Sequence, residues 1–185
     1  QTSKSPVFLM GRVSRSAEDW ARRVALAEEF NARVLTDIKL GAAFPTDHAL
    51  HTGAPGFFMS PDGAKVLNEA DLIVSFDWVD VAGTLKQAGP VAEAAKLVQV
   101  SVDHQLHNGW SMDHQAAVRA DLHIASEPDV VIKALCEETG IEAGSPPENL
   151  PAKCIGTVSD ESAPLDVDSL AAAMGEALSD DVVSL

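Results

Sequence analysis

A dense group of polar side chains begins at Asp103 and offers the clearest metal-binding chemistry in this sequence. His104, His107, Asp113 and His114 could supply nitrogen and oxygen ligands to zinc or another divalent cation. Their spacing matches neither one face of a helix nor one face of a strand, so a solvated loop explains them more simply. Asp103 could instead hydrogen-bond a ribose hydroxyl at the end of a strand.

A second candidate site is the turn Gly-Arg-Val-Ser-Arg-Ser, which begins at Gly11. Backbone N–H groups in such a turn, together with the positive end of the following helix, suit a phosphate. Arg12 and Arg15 add positive charge, but the dinucleotide fingerprint requires three glycines and this turn has one. A phosphate site that includes Ser14 and a purely structural turn therefore both remain open.

Acid–base and nucleophilic chemistry have little support in the sequence. Asp77 and Asp80 could act as paired carboxylates, but a solvated loop explains them more simply. No Gly-x-Ser-x-Gly elbow occurs. Cys136 is expected in the core and Cys154 is expected to be structural or inert. The candidates for a nucleotide site are therefore Gly11, Arg12, Ser14, Asp77 and Asp103, and a binding or scaffold domain is favoured over a catalyst.

Composition and charge exclude several classes of protein. The 185 residues carry a formal net charge of −15, which argues against a nucleic-acid or anionic-membrane partner. No apolar run approaches the roughly 18–20 residues that cross a bilayer, and the first residues do not form a signal peptide. Two cysteines fit a reducing compartment, so we expect a cytoplasmic location. Eleven acids and one base fall after residue 136, which predicts an acidic C-terminal segment.

Short apolar runs alternate with amphipathic stretches, a pattern typical of βαβ units. The predicted strands are Val7–Met10, Arg33–Ile38, Leu72–Phe76, Leu97–Val102 and Leu122–Ala125, with Val182–Leu185 beginning a further strand. The predicted helices are Ala17–Phe30, capped by Ser16, then Asp62–Glu69, Pro90–Ala95, Pro128–Glu138, ended by Gly140, and Asp166–Leu178. We therefore predict an α/β fold over residues 1–143, a doubly wound, mostly parallel, five- to six-stranded Rossmann-like sheet with helices on both faces. Residues 144–185 are predicted to begin with an acidic linker.

Several motifs, taken in order, resemble those of a known family. The most specific runs Gly-Ala-Ala-Phe-Pro-Thr-Asp-His from Gly41 to His48, with further glycines beyond it. An Ala-Asp-Leu-Ile-Val strand follows from Ala70, and a later strand ends at Asp103. Over residues 5–140 the sequence resembles the central domain of thiamine-diphosphate-dependent enzymes of the acetolactate synthase, benzoylformate decarboxylase and pyruvate decarboxylase type.

The resemblance implies where the cofactor chemistry of such an enzyme lies. In this family thiamine diphosphate and Mg²⁺ lie between the first and third domains, so no catalytic residue is expected in this sequence. Residues 163–183 resemble the entry into the third domain, which implies that residues 144–185 contain a linker and the truncated start of that domain. The implied partners are the N- and C-terminal domains of a parent homodimer or homotetramer, and this polypeptide alone is expected to be inactive.

Some members of the family hold FAD or ADP in the central domain. FAD-using synthases place Gly-x-Arg-Phe-Asp after the third strand, whereas this sequence has Ser-Phe-Asp-Trp ending at Trp78. Because the carboxylate of Asp77 would repel a pyrophosphate, FAD is not expected.

The resulting prediction is a non-catalytic central domain of a thiamine-diphosphate-dependent 2-oxo-acid decarboxylase or carboligase similar to acetolactate synthase. Its role would be structural, with a vestigial nucleotide site. One alternative is a free-standing domain that binds ADP, FAD or NAD. The other is a metal-dependent enzyme built on the histidine group after Asp103.

Overall fold

The computed structural model describes residues 3–92, 94–103, 118–144 and 167–177. The chain divides into two compact units, Gln1–Pro146 and Pro147–Leu185. The strands of the first unit are β1 (Pro6–Met10), β2 (Arg33–Thr36), β3 (Leu72–Phe76), β4 (Lys96–Val100) and β5 (Leu122–Ile124). Its helices are α1 (Ala17–Glu29), α2 (Pro61–Asn68), α3 (Val81–Ala88) and α4 (Pro128–Thr139), and the second unit contributes α5 (Val167–Ala177). No helix in these ranges is both long and apolar enough to span a membrane.

The five strands form one sheet in the order β2-β1-β3-β4-β5, and every strand pair is parallel. The chain therefore leaves β1 toward one edge of the sheet and returns to the other side of β1 with β3. This arrangement confirms the predicted doubly wound α/β fold. A single parallel bridge between Val34 and His51 also pairs the outer edge of β2.

Side-chain alternation along β1 divides the core into two layers, since successive residues of a strand point to opposite faces of the sheet. Phe8 and Met10 pack in a cluster with residues of α1 and α4, including Cys136. Val7 and Leu9 pack in a second cluster with residues of α2 and α3. Cys136 is 4% exposed, as predicted for a core cysteine, and burial raises the pKa of its thiol.

Polar residues at the helix ends satisfy backbone groups that the helices leave unpaired. The hydroxyl of Ser16 accepts the N–H of Asp19 at the start of α1. The hydroxyl of Ser60 accepts the N–H of Gly63 at the start of α2. Gly140 ends α4 in the left-handed conformation, with a φ of 69°. Ser16 and Gly140 thus mark the helix ends that the sequence predicts.

The third helix was placed wrongly by the sequence pattern. The structure has α3 at Val81–Ala88, and the described residues of the predicted Pro90–Ala95 helix are not helical. Asp80 accepts the N–H of Gly83 at 2.8 Å and caps α3. Gly89 then adopts a φ of 93°, which ends the helix before the proline. Asp80 is therefore a helix cap in a stretch that was predicted as a loop.

Other differences lie at strand ends, at helix ends that shift by one residue, and in segments outside the described residues. β2 ends at Thr36 instead of Ile38, and β4 ends at Val100 instead of Val102. The predicted strand start at Val182–Leu185 lies outside the described residues.

Asp71, directly before β3, hydrogen-bonds to the residues that precede β1. Its carboxylate accepts the backbone N–H of Lys4 at 2.7 Å and of Ser5 at 3.1 Å, and it also accepts the hydroxyl of Ser3. The Lys4 hydrogen bond is the largest cause that lowers the pKa of Asp71, followed by the Ser3 hydroxyl. The hydrogen bonds therefore favour the ionised carboxylate of the folded protein.

We predict that Asp71→Asn lowers the melting temperature at neutral pH and that this deficit shrinks under acid conditions. The folded-state pKa lies below the ordinary value of 3.8, so the carboxylate stabilises the fold above that pH and its contribution fades as pH falls through the folded pKa. Melting curves from pH 7 to pH 2 measure the effect. Asp47→Asn, at an exposed position, is the control, and a deficit that stays constant across this range would contradict the assignment.

Candidate functional site

The carboxyl ends of the strands bring most of the predicted nucleotide-site residues to one edge of the sheet. Gly11 and Arg12 follow β1, Asp77 follows β3, and Asp103 lies three residues beyond β4. The strand order reverses between β1 and β3, and doubly wound folds bind ligands at such a reversal. The candidate site therefore lies where the topology favours a ligand.

Backbone hydrogen bonds continue between β1 and β3 beyond the ends of both strands. The N–H of Gly11 donates to the carbonyl of Phe76 at 3.0 Å, and the N–H of Arg12 donates to the carbonyl of Asp77 at 3.1 Å. A Cβ on Gly11 would overlap the carbonyl group of Asp77 and the backbone nitrogen of Trp78. Glycine is thus required at this position by close backbone contact, and the two strand ends leave no gap between them.

Arg12 is held by two carboxylates across this edge. Its Nε and Nη2 atoms donate to the two carboxylate oxygens of Asp77, each at 2.9 Å, and Nη2 also donates to Asp103. Burial alone would lower the pKa of Arg12, but the hydrogen bonds and charges of Asp77 and Asp103 outweigh it and raise that pKa. The cluster carries one positive and two negative charges, so Arg12 has no uncompensated charge to offer an anion.

Asp77 is fixed in place by its neighbours as well as by Arg12. Its carboxylate accepts the hydroxyl of Ser101 at 2.5 Å, and that hydroxyl in turn accepts the N–H of Asp103 at 3.0 Å. The backbone of Asp77 has a φ of 57°, in the left-handed region that aspartate tolerates better than most residues. Its N–H donates to the carbonyl of Val100 at 2.7 Å, which helps to hold this turn.

Ser14 lines the same cleft as Arg12 and Asp77 but makes a different set of hydrogen bonds. Its backbone N–H donates to Asp129 at 2.6 Å, and its hydroxyl donates to Asp19 at 2.8 Å. A backbone N–H just before α1 is the group that would bind a phosphate. Here the carboxylate of Asp129, from the first turn of α4, occupies that N–H.

Asp129 is itself bonded to Arg23, a residue with no solvent exposure. The Nη1 atom of Arg23 lies 2.6 Å from the carboxylate of Asp129. The other hydrogen bonds of the guanidinium go to the carbonyls of Ala43, Ser14 and Ala42, at 2.9, 3.1 and 3.1 Å. This one side chain therefore joins α1, α4, the turn after β1 and the segment after β2.

Sequence reasoning missed the pairing of Arg23 with Asp129. Arg23 lies four residues before Ala27 and so falls on the apolar face of α1, although it is charged. A charged residue on a buried helix face requires a partner. The position of Arg23 on this face therefore indicated that an oppositely charged group must contact it. The sequence could not identify Asp129 as that partner, because 106 residues separate the two.

A cleft of about 500 Å³ opens beside these groups. Four carboxylates, those of Asp19, Asp77, Glu127 and Asp129, and two cations, Arg12 and Lys133, line its walls. The excess of carboxylates opposes a polyphosphate ligand.

The predicted metal ligands lie outside the described residues: His104, His107, Asp113 and His114. Within the parts of the chain that the structure describes, no group of three or more His, Cys, Asp or Glu side chains could hold a metal ion. Cys154 also lies outside these parts.

The fold and the residues at the carboxyl edge of the sheet define the class of the protein. It is a doubly wound α/β domain in which ion pairs between its own side chains occupy the edge where such folds bind ligands. A model of one family, the central domain of thiamine pyrophosphate enzymes, matches residues 1–135. The chain belongs to this family. No curated protein matches the sequence.

Solved structures with similar folds include larger enzymes. Benzoylformate decarboxylase from Polynucleobacter necessarius is 24% identical with a TM-score of 0.54, and the match covers 91% of this chain and 30% of that one. The thiamine diphosphate-dependent 4-hydroxybenzoylformate decarboxylase of Rhodococcus jostii RHA1 is 22% identical with a TM-score of 0.45, covering 78% and 26%. The chain thus spans less than a third of the length of these enzymes.

The residues at the candidate site do not fit thiamine diphosphate. Its diphosphate would require cations that are free to pair with it, and Arg12 is already bonded to Asp77 and Asp103. The bound Mg²⁺ would require a cluster of ligands, and the described residues contain none of sufficient size. No step of the cofactor's chemistry is assigned to these residues.

We predict that Arg23→Met destabilises the fold by about 3–5 kcal/mol, because Asp129 and three backbone carbonyls would lose the buried guanidinium that they bind. The neighbouring Arg22 is a matched control, since its side chain is 17% exposed and pairs with the exposed Glu18 and with Asp19. Arg22→Met is expected to cost about 1 kcal/mol, because Glu18 stays in water and Asp19 keeps its hydrogen bond from Ser14. Urea denaturation of both variants measures the difference. Equal losses would contradict the role given to Arg23.

We also predict that Gly11→Ala lowers the free energy of unfolding by roughly 2 kcal/mol or more, because the added methyl group overlaps backbone atoms that cannot move aside. Gly41→Ala is the control, since the nearest atom to its added Cβ is a side-chain nitrogen of Arg15 at 4.0 Å. Thermal and urea unfolding of the two variants should separate them clearly. A Gly11→Ala protein as stable as the wild type would show that β1 and β3 separate easily at this edge.

Proposed function

We propose that this chain is the architectural central domain of a thiamine-diphosphate-dependent 2-oxo-acid decarboxylase or carboligase. In this role it spaces the N- and C-terminal domains, which carry the catalytic residues, the cofactor and its Mg²⁺. The domain itself is non-catalytic, comprises residues 1–143, and continues through an acidic linker into the start of the third domain. The parent enzyme is a cytoplasmic homodimer or homotetramer. The cofactor supplies the electron sink for decarboxylation when it is bound elsewhere in the parent.

The observation that carries this proposal is the pairing of Arg12 with Asp77 and Asp103. A nucleotide phosphate at this edge would have to take Arg12 from two carboxylates and leave Asp77, which is 5% exposed, without its cation. Arg12 itself is 41% exposed, but removing the cation from a buried carboxylate is unfavourable. A phosphate would also have to displace Asp129 from the N–H of Ser14.

The same residues define the alternative function, a free-standing domain that binds ADP, FAD or NAD. Gly11, Arg12, Ser14, Asp77 and Asp103 would then form the nucleotide site. The excess of carboxylates in the cleft opposes this function. The membership of the chain in a central-domain family also favours the architectural role.

Calorimetric titration of the purified chain with ADP, FAD, NAD and Mg²⁺–thiamine diphosphate tests the proposal. We expect no measurable heat with any of the four ligands. Micromolar binding of ADP or FAD that is lost in Arg12→Ala would instead establish a nucleotide site at this edge. Binding of thiamine diphosphate would contradict the assignment as a central domain.

A further inference from the structure

Two adjacent phenylalanines stand exposed at the carboxyl edge of the sheet, in the segment between β2 and α2. Phe57 is 76% exposed and Phe58 is 85% exposed. The other phenylalanines described are far less exposed, the highest being Phe30 at 45%. Single exposed apolar residues are ordinary, but two neighbouring aromatic side chains form a patch that favours contact with a partner.

Specific hydrogen bonds hold both ends of this segment. The N–H of Thr52 donates to the carbonyl of Val34 at 2.8 Å, and the N–H of Met59 donates to the side-chain oxygen of Gln87 at 2.9 Å. Gly53 turns the chain with a φ of 69° in a position where a Cβ would overlap the hydroxyl of Ser60. The fold therefore holds both ends of the segment that exposes Phe57 and Phe58.

The segment is also uncharged, although the chain as a whole is strongly acidic. The nine residues from Thr52 to Ser60 contain no Asp, Glu, Lys or Arg, while the chain carries a net charge of −15. An uncharged aromatic segment suits an apolar partner surface. Residues 1–136, which carry this patch, have 17 acids and 12 bases, a net charge of −5, so two copies would meet with like charge, which opposes self-association through the patch.

We infer that Phe57 and Phe58 form a docking surface for an apolar patch on a flanking domain of the same, longer polypeptide. This inference rests on the proposed function, in which the chain is the central part of an enzyme. The match covers 30% of the benzoylformate decarboxylase chain, so a parent of that size has most of its surface outside this domain. A flanking domain is covalently tethered, and its high effective concentration allows a two-residue apolar contact to persist.

Hydroxyl-radical labelling read by mass spectrometry tests this inference on the longer polypeptide and on this chain. Labelling follows the exposed area of a side chain, so we expect oxidation of Phe57 and Phe58 to fall roughly fivefold or more in the longer polypeptide. Phe30 is the internal control and should change less than about twofold, because it lies outside the patch. Equal labelling of Phe57 and Phe58 in both proteins, or a parallel fall at Phe30, would overturn the inference.

The double variant Phe57→Ser/Phe58→Ser gives an independent readout. In the longer polypeptide we expect it to separate one unfolding transition into two, while Phe30→Ser retains one transition. If this chain alone forms a concentration-dependent dimer that only the double variant abolishes, the occupant is a second copy and the inference is wrong. A longer polypeptide that shows no thiamine diphosphate dependence would refute the proposed function, whatever the labelling shows.

Discussion

The buried guanidinium of Arg23 is the interaction on which the arrangement of this domain depends. A charged group without solvent exposure is tolerated only if it is paired and hydrogen-bonded. Arg23 meets this requirement through Asp129 and three backbone carbonyls, contributed by separate segments of the chain. The position of α4 relative to α1 is therefore set by this side chain together with the apolar core cluster that the two helices share. The same contact places the carboxylate of Asp129 on the N–H of Ser14, so stabilising the fold also blocks an anion site.

Arg12 is also paired with carboxylates of the same chain, Asp77 and Asp103, at the point where the strand order reverses. In a doubly wound sheet this point is open to ligands because the two crossovers diverge from it. Here the backbones of β1 and β3 remain hydrogen-bonded past their ends, and Arg12 bridges the carboxylates of Asp77 and Asp103. The strand order of a ligand-binding doubly wound fold is retained, but Asp77 and Asp103 neutralise the charge of Arg12 that could bind an anion. Fold alone would have suggested a nucleotide site, whereas the side chains argue against one.

Much of the fold could be predicted from the sequence, because strands buried on both faces are nearly continuous apolar runs and α1 has a clear apolar face. α3 could not be predicted in this way, because Gly83 and Thr84 weaken its helical pattern and its stability depends on tertiary contacts. One such contact is the 2.7 Å hydrogen bond from the indole of Trp78 to Thr84. In the structure Arg12, Asp77 and Asp103 meet at the edge of the sheet where the strands end. The part played by Asp129 required knowledge of helix packing.

The distribution of charge explains both why the edge at Arg12 does not favour an anion and why an apolar surface at Phe57 and Phe58 suits a partner. Arg12 and Arg23 are both committed to carboxylates of this chain, so neither is left to attract an acidic partner. Residues 1–136 carry 17 acids and 12 bases, and this net charge of −5 also opposes acidic neighbours. An uncharged segment around Phe57 and Phe58 avoids this repulsion and gains from removing apolar area from water. For a domain that commits Arg12 and Arg23 to internal ion pairs, apolar contact through Phe57 and Phe58 is a physically favoured way to bind a neighbouring domain.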